Sequence, residues 1–597
     1  MSRKKSQIRN RLENFGYALQ LTRRFYPQKL ICTIVLTVLK GVISFFSLQY
    51  MLRYVINGAT NGVPFRSLIA FMLLMLGANI LFKCIDAAYS TLVNPLISRL
   101  SEAKLEKQIM NKLLGIDIAN YEDPEAYDLA MRAASMGQAS VDGVLEVVGE
   151  MLAALVQLAL SVFLIIEIDP WLLIFPVIPL LLNPLNLKID RLYIEMMRKQ
   201  QGVTRKKDYV SRTFYQKEYA CDMRMTSMPR VMLREFQSAV ERCQKLRVVY
   251  GRKLASLFFV LAFITNASVL LAMIYAVYHT LVSHTMLLGD CLIVLNMFGD
   301  VADNIQNMAR MFSWIDETAL HVEDYRSFME KPQMIVAEGT PKPVPALADI
   351  HVSDASFAYD GAKANVIDDM NLDIRKGEKI ALVGENGAGK TTLVKLLLRL
   401  YDVQAGSVNV GGTNIRRYDP RQYRERFAVV LQEHPLLAVS IADNVLGRRC
   451  TPDDTLRVQD ALEKVGLWEA VRQLPRGIDT PLTREFSADG ANFSVGQQQL
   501  LSIAGIYARD CDVIVLDEPS SALDPIAERD MYETMLKACQ GKTVIFITHR
   551  LSSVQDADRT LLCEHGAILE EGTHAQLMAR NGKYAHMFSA QAAAYRL

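Results

Sequence analysis

Six apolar stretches precede residue 315, and they constrain this chain more than any other feature. A helix that crosses a bilayer needs about 20 mostly apolar residues. Segments near 28–51, 66–90, 146–167, 170–187, 254–281 and 286–309 meet that requirement, some with polar interruptions. Only Ile168-Asp169-Pro170 separates the third from the fourth, which forces a tight hairpin, and a few residues around His284 separate the fifth from the sixth. Longer helical segments, too polar for lipid, divide the second from the third and the fourth from the fifth. The second of these, 188–253, holds seventeen Lys/Arg against seven Asp/Glu, whereas the short loops 168–170 and 282–285 hold no Lys or Arg. The segment before Lys29 is also basic, and it has no small-residue cleavage site after an apolar run, so it is expected to be retained. Because cytoplasmic loops collect Lys and Arg, the long segments and both chain ends are expected on the cytoplasmic side. A large soluble helical domain does not account for six such spans with this charge asymmetry.

Composition narrows the remaining choices. At 597 residues the chain exceeds the roughly 250–300 residues over which one core grows. With 51% hydrophobic and 22% charged residues it is neither disordered nor a coiled-coil rod. A net charge of +2 supplies no bulk field for nucleic acid, so no nucleic-acid partner is expected. Nine scattered cysteines without a CxxC pair read as small hydrophobes in a reducing compartment, with neither a disulfide framework nor a zinc site.

The spans carry polar faces. Thr33, Thr37, Lys40, Ser44 and Ser47 recur at helical spacing in the first, Asn79, Lys83 and Asp86 in the second, and Glu150, Gln157 and Ser161 in the third. Asn296, Asp300, Asp303, Asn304 and Asn307 line the sixth. A charge at the bilayer centre costs at least ~2.5–3.5 kcal/mol, so such groups face one another or a wet cavity. Two readings stay open: interhelical hydrogen bonds with a self-neutralising Lys83–Asp86 pair, or a hydrated path on which Asp300 and Asp303 favour cationic groups.

The character changes after about residue 325. Pro332 and the prolines at 341, 343 and 345 mark a linker, and short β-branched runs then alternate with glycine turns and helices, the pattern of an α/β domain. The division expected is 1–325 for the six-span helical domain with long cytoplasmic extensions, 326–347 for the linker and 348–597 for the α/β domain. Within the last, the strand candidate Lys379–Val383 runs into Gly384-Glu385-Asn386-Gly387-Ala388-Gly389-Lys390-Thr391-Thr392 and then the helix-like LVKLLLRL. This is GxxxxGK[ST] between a strand and a helix, a phosphate-binding loop. Its glycines let backbone N–H groups close on phosphate oxygens, and the helix N-terminus adds a favourable dipole. Lys390 is expected on the β/γ-phosphates and the Thr391 hydroxyl on Mg2+. A second strand ends at Asp517-Glu518, where Asp517 suits Mg2+ through water and Glu518 suits the attacking water. A third, Thr543–Thr548, delivers His549 as a γ-phosphate contact.

In this order the elements resemble an ATP-binding cassette, and nearly the whole chain resembles an ABC exporter half-transporter. The resemblance implies that Tyr359 stacks on adenine, that Gln432 is the Q-loop residue that senses Mg2+, that Ser494, Gly496 and Gln497 form the signature, and that Asp524 belongs to the D-loop. It implies ATP and Mg2+ as ligands, with Gly384, Asn386, Gly387, Gly389 and Thr392 completing the phosphate loop. Tyr121-Glu122-Asp123-Pro124 resembles the first coupling helix, and His574 falls in a C-terminal family pattern that reads as structural. In this family two chains sandwich two ATP molecules, so a second half-transporter, identical or paralogous, is implied.

The signature departs from the usual Leu-Ser-Gly-Gly-Gln, reading Phe493-Ser494-Val495-Gly496-Gln497. Gln498, Leu500 and Gly505 stand where Arg or Lys is common, and Ala488, beside Asp489, replaces a usual acid. Homodimer and heterodimer both remain open. The leading expectation is ATP-driven export of a polar, cationic or peptide-like substrate from a bacterial plasma membrane. Lipid or drug export, siderophore-like import and a sensor role are the alternatives.

Overall fold

The computed structural model describes residues 2–346, 348–430, 436–484, 486–517, 533–548, 554–555 and 557–594. It divides into two compact units: Met1–Leu114 with Glu125–Lys331, and Gly115–Pro124 with Pro332–Leu597. The ten-residue segment 115–124 therefore packs with the C-terminal unit although the N-terminal unit flanks it in sequence.

The N-terminal unit is helical. Pro27–Ser44 continues through a π turn at Phe45–Tyr50 into Met51–Thr60. Phe65–Ala88 continues through a second π turn, Tyr89–Val93, into Asn94–Gly115. Pro124–Ile168 follows and stops at Asp169-Pro170, because proline lacks the N–H that the next turn needs. Asp169 then holds the expected hairpin: one carboxylate oxygen accepts the Trp171 N–H at 3.0 Å and the other the Tyr275 hydroxyl at 2.8 Å. The remaining long helices are Asn183–Tyr215, preceded by the short Ile174–Leu181, then Met228–Leu281 and Leu288–Glu330. The first, second, third and fifth expected spans thus fall within continuous helices, while the fourth is interrupted and the sixth begins at Leu288. Among the described residues, four helices are long and apolar enough to cross a membrane: Pro27–Thr60, Phe65–Gly115, Asp142–Ile168 and Met228–Leu281. The fourth span is broken at Leu182 among Pro176, Pro179 and Pro184, and the sixth carries Asp290 and Asp300.

Two ionic clusters bracket the first span. Near its start the buried Lys29 ammonium donates to Asp142 Oδ1 at 2.7 Å and to Ser98 Oγ at 2.8 Å. Near its end Arg53 pairs with Asp290 at 2.8 Å and Glu167 at 3.0 Å, and Asn57 donates to Asp290 at 2.9 Å. At 1.5 Å per residue the 24 residues from Lys29 to Arg53 span about 36 Å, against a hydrocarbon layer of about 30 Å. The clusters therefore fit the two edges of such a layer, where burying charge costs least. Between them Leu73, Leu74, Leu81, Phe259 and Phe263 stand on the exterior, more than half exposed.

The C-terminal unit holds two sheets. Strands β1 (Ile350–Phe357), β2 (Ile367–Ile374), β4 (Ala405–Val410) and β5 (Thr413–Asn414) form an antiparallel sheet in the order β2-β1-β4-β5. Strands β3 (Lys379–Val383), β6 (Phe427–Val430), β7 (Val513–Asp517), β8 (Thr543–Ile547), β9 (Arg559–Glu564) and β10 (Ala567–Gly572) form the second, ordered β10-β9-β3-β8-β7-β6. All its pairings are parallel except β10 on β9. Both faces of β3, β7 and β8 are covered, so they read as continuous apolar runs rather than alternating ones. Leu382 aligns with Ile547, and Ile547 with Asp517, so the loop after β3 and the carboxylate ending β7 meet at one edge, across β8. In open parallel sheets that carboxyl edge is where ligands bind.

Candidate phosphate-binding site

The chain leaves β3 through a loop that only glycine can follow at two points. Gly384 has φ +150°, and a Cβ there would lie 2.3 Å from the Cys563 carbonyl oxygen. Gly389 has φ +97°, and a Cβ would meet Ile367 at 2.9 Å and the Val366 carbonyl at 3.0 Å. Lys390–Leu397 then opens as a helix with its first N–H groups turned to the loop. The loop encloses a cavity of about 370 Å³ lined by Val366, Asn386, Gly387, Ala388, Gly389, Lys390, Thr391, Thr392, Asp517 and Ile547. The buried Lys390 ammonium donates to the carbonyls of Gly384 and Glu385, each at 2.9 Å, which holds the loop curled around it.

These groups fit a magnesium nucleotide. Mg2+ takes oxygen ligands and is commonly held by one or two protein oxygens together with the phosphates themselves. The Thr391 hydroxyl and the Asp517 carboxylate line the same cavity as Lys390. Those three residues, with Asn386, Gly387, Gly389 and Thr392, are brought together as the sequence pattern requires. Gln432, Glu518, Asp524 and His549 lie outside the described residues.

Tyr359 stands beside this loop. Its hydroxyl shares a hydrogen bond with Thr392 Oγ1 at 3.1 Å, and its ring meets Phe357 and Tyr401 edge-on at 5.1 and 5.4 Å. The Lys395 ammonium lies 5.4 Å from the centre of the Tyr359 ring and 5.7 Å from that of Tyr401. Lys395 in turn donates to Glu122 Oε1 at 2.7 Å, and the Tyr401 hydroxyl donates to Glu122 Oε2 at 2.5 Å. Burial opposes ionisation of Glu122, but these two hydrogen bonds and the Lys395 charge outweigh it and hold the carboxyl below its ordinary value. Burial likewise works against the Lys395 ammonium, and Glu122 and Tyr359 overcome it and raise its pKa. The hydroxyl of Tyr401, desolvated and bonded to a carboxylate, is pushed well above its usual value. Sequence reasoning found Glu122 only as part of a motif and missed Lys395 and Tyr401. The one local signal was Lys395 five residues beyond Lys390, on the helix the phosphate loop begins.

The signature residues open a separate helix, Val495–Ala508. Ser494 Oγ accepts the Gln497 N–H at 3.3 Å while Gln497 Oε1 accepts the Ser494 N–H at 3.0 Å, a reciprocal cap. Gly496 sits half-buried within this first turn, and Val495 is 56% exposed. Gly505 proves to be a buried packing position: a Cβ there would lie 3.1 Å from the Val445 carbonyl. A Cβ there would press on that carbonyl and come within 3.6 Å of Arg509, which itself reaches the Val445 and Asn444 carbonyls at 3.1 Å. His574 shares a hydrogen bond with the buried Tyr584 at 2.8 Å.

In the helical unit, Asp300 does not stand alone. Gln49 donates to Asp300 Oδ2 at 3.1 Å and accepts from Ser161 at 3.1 Å. The Asp303 side chain lies outside the described residues. Lys83 is exposed, and among the described residues no ion pair joins it to Asp86.

Residues 367–521 match the ABC transporter family. An ATP-dependent lipid A-core flippase of Vibrio parahaemolyticus is 37% identical over 246 residues, 41% of this chain and 42% of the flippase. A putative multidrug export ATP-binding/permease protein of Bacillus subtilis is 32% identical over 300 residues, 50% of this chain and 48% of that protein. The chain thus spans less than half the length of the curated relatives it matches. A solved bacterial Atm1-family ABC exporter with ATP bound has the same fold over 95% of this chain and 99% of its own, with a TM-score of 0.77 and 18% identity. The family match thus lies in the C-terminal unit, and the chain as a whole has the fold of that solved exporter.

Proposed function

We propose that this chain is an ATP-hydrolysing half-transporter that drives export across a bacterial plasma membrane, with its cassette and both termini cytoplasmic. The observation that carries the reading is the cavity in which Lys390, Thr391 and Asp517 converge at the carboxyl edge of the parallel sheet. Lys390 neutralises β/γ-phosphate oxygens there, and the loop N–H groups and helix N-terminus orient them. Thr391, Asp517 and Gln432 would hold Mg2+, which would supply charge neutralisation for the phosphates. Tyr359 takes the adenine. Glu518 orients the attacking water, and His549 contacts the γ-phosphate. Ser494, Gly496, Gln497 and Asp524 complete the site of a second half-transporter, identical or paralogous. Hydrolysis measured on the chain in lipid nanodiscs, with Glu518→Gln as control, tests the reading. Turnover lost in that variant supports a competent homodimer. An ATP-binding chain without turnover calls for a paralogous partner, and a chain that binds no ATP refutes the reading.

For the cargo, the Gln49–Asp300 hydrogen bond and the exposed Lys83 favour a polar substrate, with Asp300 drawing cationic groups. A second reading, a lipid substrate, is favoured by the flippases among the relatives. Asp300→Asn distinguishes them: it weakens stimulation of the ATPase by a cationic peptide and leaves stimulation by a lipopolysaccharide unchanged.

A further inference from the structure

The segment 115–124 is docked on the cassette at both ends. At its start the Asp117 carboxylate accepts the N–H groups of Met334 at 2.7 Å and Ile335 at 3.1 Å, which fastens it to the linker. At its end Glu122, the last residue of the short helix Ala119–Glu122, takes Lys395 and Tyr401 on its two oxygens. Both partners reach Tyr359: Tyr401 through an edge-on ring contact, Lys395 by placing its ammonium over the ring. Tyr359 reaches the phosphate loop through its hydroxyl on Thr392. An unbroken series of contacts therefore runs from Glu122 to the aromatic beside the loop, without passing through the phosphate cavity itself, whose lining includes neither Lys395 nor Tyr401.

We propose that Glu122 is a positioning residue for the nucleotide base. By holding Lys395 and Tyr401 it sets the orientation of the Tyr359 ring, and the docked segment thereby tunes affinity for adenine without touching the phosphates. This rests on Tyr359 being the base platform. A cation over an aromatic face is attracted to it by roughly 0.5–1 kcal/mol at exposed sites, but an ammonium on a four-carbon stem has many other places to go. Glu122 restricts it to one. Because binding linkage is reciprocal, the effect runs both ways: a bound base steadies the ring and Lys395, and so strengthens docking of the segment that carries Glu122.

The test separates base from phosphate. Full-length chain in nanodiscs is assayed for the KM and kcat of ATP hydrolysis, and for competition by inorganic tripolyphosphate, which can occupy only the phosphate loop. For Glu122→Gln the expected result is a KM for ATP raised roughly three- to ten-fold, the scale of one half-exposed ion pair with its cation–π contact. The kcat stays within about two-fold and tripolyphosphate competes as well as before, and Glu122→Asp recovers part of the KM. An unchanged KM for ATP overturns the proposal, as does an equal weakening of tripolyphosphate, which would mean that the loop itself was disturbed. Tyr359→Ala distinguishes failure of the platform reading. If it leaves the KM for ATP unchanged, Tyr359 does not hold the base, whatever Glu122 does. If Glu122→Gln fails to fold, Lys395→Gln, which releases the same contact from the other side, must show the same split between ATP and tripolyphosphate.

Discussion

Replacing Arg399 with Met removes a guanidinium that is wholly buried in the cassette. Its NH1 donates to the carbonyls of Ile415 at 2.9 Å and Tyr418 at 2.8 Å, NH2 to that of Val336 at 2.6 Å, and Nε to Asp402 at 3.2 Å. One side chain thus ties the linker, the turn after the phosphate-loop helix and the segment after β5. Hydrogen bonds to charged groups contribute about 1.5–3 kcal/mol each, yet four sharing one donor group do not add. Removing one partner of a buried ion pair costs about 3–5 kcal/mol. Asp402 is a quarter exposed and keeps Arg416 at 3.9 Å, so it is not stranded, which points to the lower part of that range. Arg399 has φ +50°, but Met bears the same left-handed cost, so that contribution cancels. At about 2–4 °C per kcal/mol for a domain of this size, a loss of ~3–4 kcal/mol lowers the cassette transition by roughly 6–16 °C. Calorimetry on the full chain in nanodiscs measures it, the cassette transition being the one that Mg·ATP raises. Arg399→Lys should recover little, because a compact ammonium lacks the planar, spread fork that lets the guanidinium reach three carbonyls and Asp402 at once. A shift below about 2 °C for Arg399→Met would refute the view that this residue holds the linker to the cassette.

Three further outcomes follow from the same geometry. Gly384→Ala, whose Cβ would sit 2.3 Å from a backbone oxygen, should abolish ATP binding by equilibrium dialysis, whereas Gly412→Ala, at φ +74° with open space around it, should leave binding intact. Gly505→Arg, which puts a long basic side chain against the Val445 carbonyl, should destabilise the chain and lower its ATPase; a gain in ATPase would sink the packing explanation. Burial pushes the Cys563 thiol up to about 11 against the pull of Lys390. A raised value favours the protonated, folded state, so this contribution is whole below the ordinary value of 9.0 and is lost as pH rises towards 11. Iodoacetamide at pH 8 should therefore label Cys563 slowly in the folded chain and rapidly after unfolding, and equal rates would contradict the burial.

The phosphate loop was legible because its function is local. Nine consecutive residues must follow one backbone path, and glycine at 384 and 389 is dictated by carbonyls and side chains a few ångströms away. Asp517 was legible for a related reason, since β7 and β8 are short apolar runs whose parallel pairing brings their carboxyl ends to the same edge. What escaped was built from distant pairings. Glu122 and Lys395 are 273 residues apart, and nothing in the spacing of either foretells the other. The close packing at Gly505 escaped for the converse reason, because its helix position was readable but the Val445 carbonyl opposite it was not.

The polar stripe of the first span shows how a correct rule can miss the residue that matters. Thr33, Thr37, Lys40, Ser44 and Ser47 were joined by a spacing of three to four, which assumes an unbroken α-helix. The helix instead passes through a π turn at Phe45–Tyr50, where hydrogen bonds run five residues apart and the face advances by an extra residue. Beyond Ser44 the stripe therefore loses its register. Ser47 is buried with no partner for its hydroxyl among the described residues, while Gln49, off the stripe by count, is the residue that reaches Ser161 and Asp300. Extra residues of this kind persist where the surroundings over-determine them, and π turns recur at functional sites. Here the turn delivers a 3%-exposed amide to the carboxylate of the sixth span. Deleting one residue within 45–50 would let the helix return to α-helical spacing, and because the π turn already absorbs the extra residue, Met51–Thr60 would keep its facing. Arg53 should then still reach Asp290 and Glu167, and loss of that ionic cluster in such a deletion would refute this account of the turn.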